Sequence, residues 1–305
     1  MSLRRYGSLT VEISREEKPL FPGEGITKGD LIDYYEAVYD RMRSHLEDRP
    51  LVLRRFPDGI EKSGFYQKQA AEHFPDWIRT TRVQKQNGHQ DLVVCDKKAT
   101  LAFLADQATI ALHGWLSRED RPDNPDRLVV DLDPSKDGFA PVRRAALRCR
   151  ELLDEIDVPS FVKTTGSRGL HVVVPLDRRA DFDSVRAFAR ELAGILAERF
   201  PDDLTIEQRK RKRRGRIYVD VGRNAYAQTA VLPYSVRARP GAPVAVPLRW
   251  DEVERGRIEP DSFTIGNLFR RLARTEDPWR SFRRRRISVT KAARRLENRK
   301  EEQQS

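Results

Sequence analysis

Leu128-Val129-Val130-Asp131-Leu132-Asp133-Pro134 is an apolar run that ends in two carboxylates, and a second run, Ile217-Tyr218-Val219-Asp220, ends in a third. Apolar runs of this length, rich in Val and Ile, read as buried strands. Strand alternation sets Asp131 and Asp133 on one face and Leu132 on the other. Carboxylates paired at strand ends suit a hard divalent cation, Mg²⁺ or Mn²⁺, that also holds substrate phosphates; Zn²⁺ would favour His and Cys. That chemistry is phosphoryl or nucleotidyl transfer. An Asp-x-Asp pair alone also occurs in ordinary strand-ending turns and in unrelated enzymes, so its surroundings decide.

Between the two runs lies Lys163-Thr164-Thr165-Gly166-Ser167-Arg168-Gly169-Leu170-His171, followed by the strand-like Val172-Val173-Val174-Pro175. Its glycines let backbone N–H groups approach a triphosphate, its hydroxyls donate, and Lys163, Arg168 and His171 are read as supplying charge. The plainer reading is a tight hairpin turn with solvated charges.

The 305 residues, 38% hydrophobic, suffice for one large domain or two modest ones. No run of about 18 apolar residues occurs and Met1-Ser2-Leu3-Arg4-Arg5-Tyr6 is no apolar signal segment, so a soluble, cytoplasmic, nucleoid-associated protein with no membrane partner is expected. Cys95 and Cys149, without a C-x-x-C, read as packing residues. Net charge is +11, and it is not evenly spread. Residues 206–305 hold 26 Lys/Arg against 12 Asp/Glu, whereas residues 1–205 hold 32 against 35. The excess gathers at Arg209-Lys210-Arg211-Lys212-Arg213-Arg214, which runs into the Asp220 strand, and at Arg283 to Arg286. A polyanionic partner accounts for both clusters; a solvated face is the simpler alternative.

Thr27 and Asp30 have the spacing of a capping box for a helix entering Leu31-Ile32-Asp33-Tyr34-Tyr35. Patterning predicts strands at 51–55, 92–95, 128–132, 160–164, 171–175, 217–221 and 229–233, and helices at 98–111, 141–156, 183–199 and 262–274. Adjacent strands bracket turns instead of alternating with helices, so an α+β sheet fits better than a doubly wound one. Residues 118–127 read as a loop between an N-terminal portion and the catalytic sheet, and residues 281–305 as a basic, polar tail that is helical or frayed.

Read together, these residues resemble the polymerase domain of the bacterial ATP-dependent DNA ligase LigD, a branch of the archaeo-eukaryotic primase superfamily. The resemblance runs from about Leu9 to Leu272. It rests on Lys18-Pro19-Leu20-Phe21-Pro22 through Thr27-Lys28-Gly29-Asp30, on Phe65-Tyr66-Gln67-Lys68, His113, Asp131-Leu132-Asp133-Pro134, Thr165 to His171 and Asp220, and on Gln228-Thr229-Ala230-Val231-Leu232-Pro233-Tyr234-Ser235-Val236-Arg237-Ala238-Arg239-Pro240-Gly241.

The resemblance implies one primase-polymerase domain over residues 1–280. A primase-type catalytic β-sheet flanked by helices (126–280) would be joined to a smaller N-terminal α/β portion (1–120) that carries a 5′-phosphate pocket. It implies a template-using nucleotidyltransferase that fills gaps or extends ends in non-homologous end joining, prefers ribonucleotides over deoxyribonucleotides, and works with Ku and a separate ATP-dependent DNA ligase. Asp131, Asp133 and Asp220 would hold two Mn²⁺ or Mg²⁺ ions. Thr165, Ser167, Arg168, His171 and Arg237, with His113 and Arg54, would grip the NTP or dNTP. Lys18 and Lys28 would bind the DNA 5′-phosphate, Phe65 would stack on a template base, and Arg213 would contact DNA.

The chain departs from the family at Thr165, where serine is commoner, at Arg168, where lysine is, at Pro19, and in the richness of the 209–214 loop. No Lys-x-Asp-Gly ligase motif or nuclease module occurs, so a stand-alone polymerase is expected; a piece of a larger protein would read the same. A primase that starts chains de novo and a non-catalytic DNA end-bridging module are the alternatives.

Overall fold

The computed structural model describes residues 1–85 and 87–304. Its chain divides into two compact units: residues 1–120, 229–246 and 263–274 form one, and residues 121–228, 247–262 and 275–305 the other.

The first unit begins with a hairpin, β1 (Ser2–Tyr6) and β2 (Leu9–Ile13), and a short pair, β3 (Pro19–Phe21) and β4 (Ile26–Thr27). Helix α1 (Lys28–Leu46) starts where the sequence places it. The Thr27 hydroxyl accepts from the Asp30 N–H, and the Asp30 carboxylate accepts from the Thr27 N–H. The main sheet contains β5 (Pro50–Arg55), β6 (Phe65–Gln67), β7 (Thr80–Lys85), β8 (Gly88–Val94) and β9 (Thr109–Trp115). Its far edge is a strand that arrives much later in the chain, Thr229–Val231, paired antiparallel to β9. Helix α2 (Lys98–Asp106) stops short of the expected 111. Ala108 takes a left-handed φ of 56°, and the β-branched Thr109 and Ile110 then run straight into β9.

The second unit is built on a six-stranded sheet. Its members are β10 (Arg127–Asp133), β11 (Phe161–Thr164), β12 (Leu170–Pro175), β13 (Leu204–Thr205), β14 (Ile217–Asp220) and, after the edge strand of the first unit (β15), β16 (Pro247–Leu248). The spatial order is β13-β14-β10-β12-β11-β16, and every pairing is antiparallel except β13 with β14. Helices α3 (Ala140–Glu155) and α4 (Phe182–Arg199) pack on this sheet. On the face opposite the aspartates, Leu128, Val130 and Leu132 are buried. The mixed helix and sheet architecture expected from the sequence is therefore present.

Near the C-terminus one expectation gives way and one open choice is decided. Residues 262–274 form only a short helix at Leu268–Leu272, because the stretch before it is a turn in which the Thr264 N–H donates to the Asn267 side chain at 2.9 Å. Of the two readings of the C-terminal stretch, helical or frayed, the helix is the one present from Val289 to Gln304. Helix Val289–Gln304 buries Val289, Ala292 and Leu296, and the Lys300 ammonium pairs with Glu191 of α4 at 2.5 Å. Ahead of it, the Trp279 indole N–H donates to the Val162 carbonyl (3.1 Å), and Trp279 stacks on Phe282.

Candidate active site

Sheet register brings four sequence-distant side chains into one row. Lys163 on β11 lies opposite His171 on β12, His171 opposite Asp131 on β10, and Asp131 opposite Asp220 on β14. Side chains opposed across strands project on the same side, so an ammonium, an imidazole and two carboxylates are neighbours although they come from four separate segments. Asp133, two residues beyond Asp131, opposes Tyr218.

The turn from β11 to β12 closes on itself. The Thr165 N–H and hydroxyl both donate to the Gly169 carbonyl at 3.1 Å, and the Gly169 N–H donates back to Thr165 Oγ1 at 3.2 Å. Gly169 tolerates no side chain, since a Cβ there would meet the Leu132 carbonyl oxygen at 2.4 Å, and Gly166 takes a φ of 62°. Thr165 thus shapes the turn from within it. Arg168 is exposed at the tip, with its guanidinium 4.0 Å from Asp133 Oδ1.

The charges differ from the sequence expectation at His171. Burial, reinforced by Lys163, pushes its imidazole down to about 4 despite the opposing pull of Asp131, so the ring is neutral near pH 7 and supplies no charge. Its Nε2 lies 3.5 Å from Asp131 Oδ1, and its buried Nδ1 has no hydrogen-bond partner among the described residues. Burial would raise the Asp131 carboxyl, but His171, Arg223 and Lys163 together hold it below the ordinary carboxylate range.

Arg213, expected to contact DNA, is tied into the aspartate site. It is buried, stacked 4.2 Å from the Tyr218 ring, donates to the Glu207 and Gln208 carbonyls, and places Nη1 3.0 Å from Asp133 Oδ2. In this arrangement it grips a candidate metal ligand. Its neighbours Arg209, Lys210, Arg211 and Lys212 are exposed. Sequence reasoning passed over Arg223, 3.7 Å from Asp131, and Asn224, whose amide bonds both the N–H and the carbonyl of Val129 to fix β10. Their position just after Asp220 was the available signal.

Three carboxylates on adjacent strands, with an orphaned imidazole nitrogen beside them, have the donor chemistry for a hard divalent cation. They do not form a closed cage as they stand. Among the described residues no group of three or more His, Cys, Asp or Glu side chains converges as a ligand set. Asp133 is held by Arg213, and Asp220 Oδ1 accepts from the Gly222 N–H at 2.8 Å.

The remaining candidates lie in the first unit. Arg54 is stacked between Phe56 (4.9 Å) and Tyr66 (4.5 Å), and Tyr66 meets His113 edge-on. Phe65 is 46% exposed on β6, which excludes core packing as its reason to be aromatic. Arg237 is half-buried, and its N–H donates to the Pro243 carbonyl. Lys18 and Lys28 are tied together, the Lys28 N–H donating to the Lys18 carbonyl at 2.8 Å. Their ammonium groups diverge in character. Lys18 reaches the exposed Asp58 (2.9 Å), while Lys28 is buried against Asp106 (2.6 Å) and Ser14 (3.0 Å).

A family model described as "LigD, primase-polymerase domain" matches residues 27–279. The chain belongs to this family. It is a polymerase-type nucleotidyltransferase domain, a class that uses a divalent metal and a nucleotide substrate. It is 32% identical to the multifunctional non-homologous end joining protein LigD of Pseudomonas aeruginosa over 95% of its own length, and 29% identical to the bifunctional LigD of Bacillus subtilis over 87%. It spans 35% and 43% of those two proteins, and about a third of the mycobacterial relatives it matches. The solved polymerase domain of Mycobacterium tuberculosis ligase D, in complex with DNA, superimposes with a TM-score of 0.85 at 30% identity, covering 91% of this chain and 99% of that one.

Proposed function

We propose that this domain adds nucleotides, with ribonucleotides preferred, to the 3′ ends of gapped or broken DNA during non-homologous end joining, alongside Ku and an ATP-dependent ligase. The observation that carries the proposal is the cross-strand row Lys163, His171, Asp131, Asp220 beside the closed Thr165–Gly169 turn.

Asp131, Asp133 and Asp220 would hold two divalent ions, Mn²⁺ or Mg²⁺. When bound, such ions neutralise phosphate charge and lower the pKa of an attacking hydroxyl. The chain's own groups do the rest. Arg168 at the exposed tip donates to triphosphate oxygens, aided by Ser167 and by backbone N–H groups of the turn. His171, proposed to contact the nucleotide, is neutral and faces Asp131 through Nε2, while Lys163 completes the row on its β11 side. Thr165 holds the turn's shape. In the first unit, Arg54, His113 and Arg237 are proposed to contact nucleotide sugar and phosphates, Phe65 to stack on a template base, and Lys18 with Lys28 to form the 5′-phosphate pocket, Lys18 being the accessible cation.

Primer extension tests this reading. With Mn²⁺ and NTPs, the purified chain should extend a primer on a gapped, 5′-phosphorylated duplex and make nothing on an unprimed single strand. No extension with either NTPs or dNTPs would refute it, and product from the unprimed strand would favour de novo priming.

A further inference from the structure

At the end of the catalytic sheet away from the aspartates lies a cleft of about 470 Å³ that the reaction does not use. β12 runs from Leu170, opposite Leu132, to Pro175, opposite Arg127. Asp131 lies opposite His171, four residues before Pro175, so at roughly 3.3 Å per residue the near end of the cleft is roughly 13 Å along β12 from the Asp131 row. The C-terminal segment builds it. The Ile287 N–H donates to the Pro175 carbonyl (3.0 Å), and the Asp177 N–H donates to the Ile287 carbonyl (2.9 Å). Phe282 lies under the Arg127 guanidinium, 5.4 Å away. This fixes Arg285, Arg286 and Lys291 against Asp157, Asp177, Arg179 and Arg295.

The charges are unequally satisfied. Asp157 is paired with Arg295 at 3.1 Å and Asp177 with Arg179 at 3.8 Å. Arg285, Arg286 and Lys291 are exposed, and among the described residues their side chains make no hydrogen bond or ion pair. Three unpaired cations held on an ordered strap repel one another, a cost that an anionic ligand would relieve. A protein interface would present aromatic or large apolar anchors at its centre. The exposed large hydrophobic residues, Met1, Leu3, Phe65, Tyr66, Ile206 and Phe269, all lie outside the cleft. Guanidinium groups without an apolar anchor match phosphate oxygens. Residues 285–295 also lie beyond 279, where the match to the family model ends.

We propose that this cleft is a second nucleic-acid contact, binding the phosphodiester backbone of duplex DNA about four base pairs from the reaction centre, at about 3.4 Å of rise per pair. It is independent of the metal-site reading.

The test is anisotropy binding of the full chain to a blunt duplex of about 40 base pairs across a salt series. Arg285→Ala/Arg286→Ala should lower affinity about tenfold and reduce the slope of log K against log salt by roughly two, with Lys291→Ala removing about one more. ATP affinity, and single-nucleotide addition at saturating DNA, should not change. An unchanged slope overturns the proposal, as does an equal loss in the control Arg144→Ala/Arg190→Ala, which removes two exposed cations on α3 and α4. Loss of ATP affinity with duplex affinity intact would show a mononucleotide site instead. A drop in polyglutamate binding as large as the drop for duplex would show a general acidic-polymer surface.

Discussion

Two sets of lysine, arginine and carboxylate groups in this protein use the same chemistry to opposite ends. In the second unit, Asp133 sits 41% exposed at a strand end, with the half-exposed Arg168 guanidinium 4.0 Å away. In the first, Lys28 and Asp106 meet at 2.6 Å with almost no exposure. Charges at a solvated edge exchange partners at little cost; a buried pair cannot be opened without leaving an uncompensated ion. The first arrangement suits groups that must release one partner for a substrate, the second suits a fixed post. The contrast argues that Lys18, not Lys28, is the mobile half of the proposed 5′-phosphate pocket.

The comparison can be broken most severely at the edge. Asp220→Asn should reduce nucleotide addition on the order of 10³-fold, since it removes the charge of one proposed metal ligand, while the thermal midpoint stays near that of wild type. EDTA should abolish the same activity and leave duplex binding intact. A variant at wild-type rate would remove Asp220 from the site.

At the buried pair the expected loss is one of stability. Lys28→Met should cost about 3–5 kcal/mol in urea unfolding, and Lys28→Met/Asp106→Leu should recover most of it, because the double change removes both buried charges. If Lys28→Met were as stable as wild type, the pair would not be the fixed post described.

A smaller effect is expected at Lys18. Lys18→Ala should weaken binding to a 5′-phosphorylated gap severalfold, lower its salt slope by about one, and leave a 5′-hydroxyl gap unaffected. Equal weakening on both gaps would deny it a specific phosphate role. The smallest is Thr27→Ala, which removes the cap of α1 and should cost about 1 kcal/mol with no change in discrimination between the two gaps.

The parts of this molecule that could be read in advance are those governed by local rules. The Thr27/Asp30 cap, the apolar runs of β10, β12 and β14, and the glycines of the 165–169 turn each announce themselves within a few residues. What stayed hidden depends on partners far along the chain. Asp106 meets Lys28 across 78 positions, and Arg213 reaches Asp133 across 80. Neither spacing has a period to detect. Strand β9 was masked by the helix-like stretch before it, because only the left-handed Ala108 marks the break. The charge of His171 was misjudged because its burial between Lys163 and Asp131 is a property of sheet register, not of composition.

The late arrival of Thr229–Val231 at the edge of the first sheet has a consequence for how the chain is made. As the polypeptide emerges from the ribosome, the first unit must wait, incomplete, until β10 to β14 of the second have been synthesised. Leu232, Tyr234, Val236 and Val244, all buried in the core of the first unit, come later still. A cut after residue 120 would therefore yield a sheet lacking its edge strand and a core lacking those side chains, not a separable half. The first unit therefore cannot be completed until most of the second has been made.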